Sequence, residues 1–159
     1  MANTFELKKD MTVLITWLIA GTLDLGAAFT LFISQTKKNP TLLLRSITSA
    51  ALGPKAFSGG SVMVLLGLSF HYLIAFCWTA FYFAVLPGLL PCGAVLTQAI
   101  AYGLFVWVIM NLVILPLSKA EPRPFVPLMA IINILILILA IGLPCAYAAK
   151  HYPVLWFGV

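Results

Sequence analysis

LGPKAFSGGSVMVLLGLSFHYLIAFCWTAFY, residues 52–82, joins a basic, glycine-punctuated turn to an apolar run with a histidine near its middle. A helix needs roughly 20 apolar residues to cross a bilayer. This run supplies them from about residue 62 to residue 86, before Pro87-Gly88. Three other runs match it, at about 11–33, 94–115 and 125–143, with Asn39-Pro40, Pro116 and Pro144 as stops. Proline lacks the backbone N–H a helix needs and restricts its predecessor. The spacing predicts an all-α integral membrane protein, an up-down four-helix bundle forming one transmembrane domain over residues 1–159.

Composition agrees. Hydrophobic residues make up 63% of the chain and charged residues 8%, against ~45–50% and ~25% in soluble domains. Mean hydropathy is +1.11. The formal net charge of +5 sits almost wholly in loops and ends, so there is no soluble basic face for nucleic acid. The first run is longer than a signal-peptide core and contains Asp24, which marks it as a retained helix. Between the first two spans, residues 41–60 form an interfacial or re-entrant segment. Thr41 is its expected N-cap, and a short helix with Leu43, Leu44, Ile47 and Leu52 on one side runs to Gly53-Pro54.

Lys and Arg distribution sets the orientation. The first and third loops hold Lys37, Lys38, Arg45, Lys55, Lys119 and Arg123; the ends hold Lys8, Lys9 and Lys150. Six against three places the first and third loops in the cytoplasm and both termini outside. Tyr152 and Trp156 suit the interface beyond the fourth span.

Polar side chains inside the spans are the candidate functional residues. Asp24 and His71 each lie about nine residues from the first loop, ~14 Å into a ~30 Å core, in antiparallel helices. Asn111 and Asn133 approach the same layer from the third loop. Ala20, Asp24 and Ala28 share one helix face; Gly67, His71, Ala75 and Thr79 share another; Ala99, Gly103, Trp107 and Asn111 a third. Small residues four apart allow close helix approach, so these faces are expected inside. Asp24, His71, Asn111, Asn133 and Thr79 thus form a possible proton or ion site, with the imidazole as the titrating partner of the acid. The plainer reading is a hydrogen-bonded lock on helix register.

Lys55, Ser58, Gly59, Gly60 and Ser61 form a second candidate, an anion or lipid-headgroup site at the positive end of the second span. Its plainer reading is a tight turn before a capped helix. Cys77, Cys92 and Cys145 show no metal spacing and read as small buried hydrophobes. Haem ligation by His71 would need a second chain, since His151 lies outside the core. No cofactor is expected, and the absence of a nucleophile motif argues against an enzyme.

The series Gly21-Thr22-Leu23-Asp24, Gly53-Pro54-Lys55-Ala56-Phe57-Ser58-Gly59-Gly60, Leu66-Gly67-Leu68, His71-Tyr72, Ile74-Ala75, Tyr102-Gly103, Met110-Asn111 and Leu115-Pro116-Leu117-Ser118 resembles a family of small polytopic bacterial inner-membrane proteins of unknown function. The resemblance implies a four-helix protein of a bacterial membrane and no activity. Where that family often carries arginines, this chain has Pro87-Gly88-Leu89-Leu90-Pro91. The leading expectation is a non-enzymatic membrane protein handling protons, ions or a small solute, as a homo-oligomer. The alternatives are an accessory or assembly subunit of a larger membrane complex and an anionic-lipid-binding protein. The expected partners are membrane lipids and partner membrane subunits.

Overall fold

The computed structural model describes residues 2–89, 94–121 and 124–152. Leu90 and Pro91, Cys92, Arg123 and Trp156 lie outside the described residues. The described residues form five helices and no strand: α1 (Ala2–Thr36), α2 (Thr41–Leu52), α3 (Gly60–Leu89), α4 (Val95–Leu117) and α5 (Pro127–His151), with a short 3-10 turn over Gly53–Phe57. All but α2 are long and apolar enough to cross a membrane.

The helices pass through prolines that the sequence reading takes as stops. α3 continues beyond Pro87, α4 includes Pro116, and α5 runs through Pro144 to His151. Each of the last two crossings is prepared by a π-helical segment, Met110–Ile114 and Ile138–Gly142. A proline ring clashes with the carbonyl four residues back. Those carbonyls belong to Leu112 and Ala140, inside the widened turns, where the ladder can accommodate the ring.

The connection from α1 to α2 also differs in detail from the expectation. Lys37 closes α1 with a left-handed backbone (φ 56°), its N–H bonded to Ile33 O at 2.9 Å. Thr41 is already helical, and its N–H is accepted by Asn39 Oδ1 at 2.9 Å. Asn39 therefore supplies the capping bond expected of Thr41. α2 ends at Gly53, whose φ of +71° suits glycine.

Small residues set the helix pairs. Antiparallel α1 and α3 meet where Gly21 faces Tyr72 and Ala75, and Trp17 Nε1 donates to Tyr72 O at 2.7 Å. Antiparallel α4 and α5 meet backbone to backbone: a Cβ on Gly103 would lie 2.6 Å from Ile138 Cα, and one on Gly142 would overlap the Ala99 carbonyl. α5 also packs along α1. The short second loop predicts α3 and α4 as antiparallel neighbours; among the described residues aromatic side chains and their hydroxyls join them. Tyr82 and Tyr102 meet edge to face at 4.8 Å, and Trp78 meets Phe105 at 6.0 Å.

The other half of α3 is occupied by α2. Gly67 lies against the Leu44 carbonyl, and Thr48 Oγ1 donates to Met63 O at 2.6 Å. The buried face of α2 is Leu44, Thr48 and Ser49, while Leu52 is exposed. Two small polar residues, Thr48 and Ser49, thus face the protein together with Leu44, as fits close helix approach where lipid is as apolar as leucine. Lys119 N–H donates to Ala50 O at 2.9 Å, so the first and third loops touch at one end of the molecule.

Burial divides the molecule across its length. Toward the second loop, Val13, Tyr82, Phe83, Ala99, Tyr102, Val106, Ile141, Cys145 and Ala146 form a dense core. Toward the first and third loops, no residue is buried in Gly26–Thr36, Trp107–Leu117 or Pro127–Leu139. In Gly60–Ile74 only Gly67 is buried.

The glycine contacts make an expectation of opposite sign at two sites. Gly142→Ala forces Cβ into a backbone carbonyl and should destabilise the protein by about 1–3 kcal/mol. An added methyl at Gly26 would meet nothing within 4 Å, so Gly26→Ala should be neutral or stabilising by up to about 1 kcal/mol. Unfolding in detergent micelles measures both; equal effects would contradict the packing described.

Candidate functional site

The centre of α1 and the centre of α3 carry the ionisable pair. Asp24 lies on the α1 face that carries Ala20, buried to 1% exposure, and is itself half-buried. That face turns inward because insertion scales put a carboxylate at mid-bilayer ~2.5–3.5 kcal/mol uphill when it meets lipid. His71 projects from α3 one turn before buried Ala75 and interacts electrostatically with Asp24. No hydrogen bond joins the two side chains among the described residues.

His71 is fixed by another contact. Its Nε2 lies 2.9 Å from the Gly21 carbonyl oxygen. A carbonyl only accepts, so Nε2 bears the proton in this contact and Nδ1 is the ring nitrogen that takes no part in it. Gly21 precedes Asp24 by nearly one turn, so the anchor and the acid belong to the same part of α1. Neighbouring contacts hold this crossing rigid. Thr22 Oγ1 and Tyr72 Oη are 3.0 Å apart, and Trp17 packs edge to face on Phe76 at 5.4 Å. The π segment Ile138–Gly142 of α5 also packs on α1.

The remaining predicted polar residues are not gathered at this point. Thr79 is fully buried, donates to Ala75 O at 2.9 Å and meets the Cys145 thiol. It lies two turns beyond His71 in the dense half. Asn111 donates from Nδ2 to Trp107 O at 3.0 Å within its own helix and is half-buried. Asn133 is exposed. The predicted layer of five thus resolves into one pair, one threonine in the packed core and two asparagines in the loosely packed half.

Beside Thr79 lies a polar cluster that sequence reading passes over. Tyr82 Oη donates to Gln98 Oε1 at 3.0 Å, and Tyr102 Oη donates to Trp78 O at 2.5 Å. Cys145 is fully buried and within electrostatic reach of both phenols. Tyrosines count as apolar mass in a hydropathy scan. A glutamine in the first turn of an apolar span was the available signal.

The glycine turn is shaped by a residue outside the predicted anion site. Arg45 Nη1 donates to Phe57 O at 2.6 Å and Nη2 to Gly60 O at 3.2 Å. Its planar fork ties α2 to the start of α3. Ser58 Oγ turns back to Lys55 O at 3.1 Å, and Lys55, Ser58, Gly60 and Ser61 are exposed while Gly59 is half-buried. These contacts organise a turn; they leave the serine hydroxyl facing its own backbone rather than gathered with the glycine N–H groups.

Arg45→Lys keeps the charge and loses the fork. Hydrogen exchange across residues 53–60 should accelerate about 5- to 30-fold, the equivalent of 1–2 kcal/mol. Unchanged exchange would mean that the two carbonyl contacts do not hold the turn. No family model, no characterised protein and no solved structure matches this chain.

Proposed function

We propose that the four long helices cross a bacterial inner membrane as an up-down four-helix bundle that binds and releases a proton at Asp24 and His71. The first and third loops face the cytoplasm in this reading, by their excess of Lys and Arg. The observation that carries it is the pairing of an inward carboxylate with an imidazole anchored at Nε2, at the centre of adjacent helices. Ionisable groups inside a membrane domain are costly, and proton relays and ion paths are where they are found. The Nδ1 of His71 can take up a proton without breaking the bond that Nε2 makes to Gly21. The reading is non-enzymatic: the pair stores and passes a proton and makes no covalent bond.

A second reading, an accessory subunit of a larger membrane complex, is favoured by one surface. Thr22, Gly26, Thr30 and Ser34 lie along α1, all exposed. Small residues at this spacing permit a close partner helix. Purification in mild detergent should then recover a defined heteromeric complex.

The proton reading is tested in liposomes. Asp24→Asn should reduce pH-driven proton flux by at least about tenfold, as expected when the ionisable group of a relay is removed, while the folded fraction is unchanged. A variant that conducts like the parent, or a parent that conducts nothing, would end it.

A further inference from the structure

We infer that the junction of the first and third loops binds the headgroup of an anionic phospholipid, through Lys55 and Lys119. The inference stands apart from the proton reading and shares no residue with it.

The fold brings cations distant in sequence to one short turn. The Lys119 N–H donates to Ala50 O at 2.9 Å, and a Cβ on Gly53 would lie 3.9 Å from Lys119 Cβ. Lys119 therefore stands against the start of the 3-10 turn Gly53–Phe57, which carries Lys55. The guanidinium of Arg45 reaches the far side of the same turn through Phe57 O and Gly60 O. It supplies a fixed charge and no free contact, because both Nη groups are committed to carbonyls and Nε is enclosed without an acceptor. The ligand contacts fall to Lys55 and Lys119, which are both exposed. Glu121 follows Lys119 by two residues and is also exposed; among the described residues it pairs with none of these cations. The turn is left with a net positive charge.

The surroundings of the two lysines select a lipid over a free anion. Leu52 and Phe57 are each 44% exposed and Leu117 is 82% exposed. Leu52 adjoins Gly53, and Leu117 lies two residues before Lys119, so apolar surface borders the charge on both loops. One candidate span begins at Gly60 and another ends at Leu117. Both lysines thus lie just outside apolar helix, at the level where headgroups lie in the membrane-spanning reading. A headgroup phosphate meets the ammonium groups there while its acyl chains run along the leucines. Basic clusters beside helix ends hold anionic headgroups in this way. Capture of a bare phosphate calls for converging N–H and O–H donors, and Ser58 turns its hydroxyl to Lys55 O.

Lipid retention tests the assignment. The full chain is assembled in nanodiscs of equal phosphatidylglycerol and phosphatidylcholine, and the lipids that stay with it are counted by native mass spectrometry. The parent should retain phosphatidylglycerol in preference to phosphatidylcholine. Lys55→Gln and Lys119→Gln should each lower that preference about fivefold, and the two together about 25-fold. Lys38 is bonded through its backbone to Thr36 at the end of α1. Lys38→Gln removes the same charge from the first loop and should change the preference by less than about twofold. Lys55→Arg with Lys119→Arg should keep the preference, which separates lost charge from lost fold. No preference in the parent, an equal loss with Lys38→Gln, or a loss in the double arginine variant would overturn the site. Displacement of the retained lipid by millimolar inorganic phosphate would overturn the choice of a lipid.

Discussion

A carboxylate at the middle of an apolar helix cannot rest against lipid, and the position of Asp24 follows from that cost. It fixes the rotation of α1, which turns Ala20 and Asp24 inward together and presents Gly21 to Tyr72, Ala75 and His71. Once the Gly21 carbonyl has captured Nε2, the imidazole cannot turn away from α1. A single energetic constraint therefore sets one helix's orientation, the register of the α1–α3 pair and the ring nitrogen by which the histidine is anchored.

The rest of the architecture divides into a densely packed end and a more loosely packed one. Backbone contact at Gly103 and Gly142 welds α4 to α5, and the ring contacts of Tyr82 and Tyr102 bind α3 to α4 at the same end. At the other end α2 takes the place that α4 would fill beside α3, held by Arg45 and by the bond from Lys119 to Ala50. The π segments let α4 and α5 pass their prolines and keep their length. The ionisable pair lies where the two regimes meet.

Much of this is legible in the sequence, for identifiable reasons. Four apolar runs of membrane length announce four helices, because composition alone decides that question. Counting residues from a shared loop brings Asp24 level with His71, since helical rise is nearly constant. Other features depend on quantities that counting does not supply. Whether Pro116 and Pro144 stop a helix depends on whether the preceding turn can widen. Tyr82, Gln98 and Tyr102 come together only through the packing of α3 on α4. Arg45 reads as the polar side of a short helix, and its two carbonyl partners lie 12 and 15 residues away. Asn133 shares a loop distance with the other polar residues, which is a depth and not a direction.

The most direct test of the central claim is the coupling between Asp24 and His71. A double-mutant cycle, with Asp24→Asn and His71→Phe alone and together, is measured by reversible unfolding in a lipid bilayer. Side chains that interact are non-additive by about 0.5–3 kcal/mol, whereas independent sites add within about 0.3–0.5 kcal/mol. A paired site predicts the first outcome, with the double variant losing less than the sum of the single losses. Additivity would contradict it, and would mean that the two residues share a depth without sharing a site.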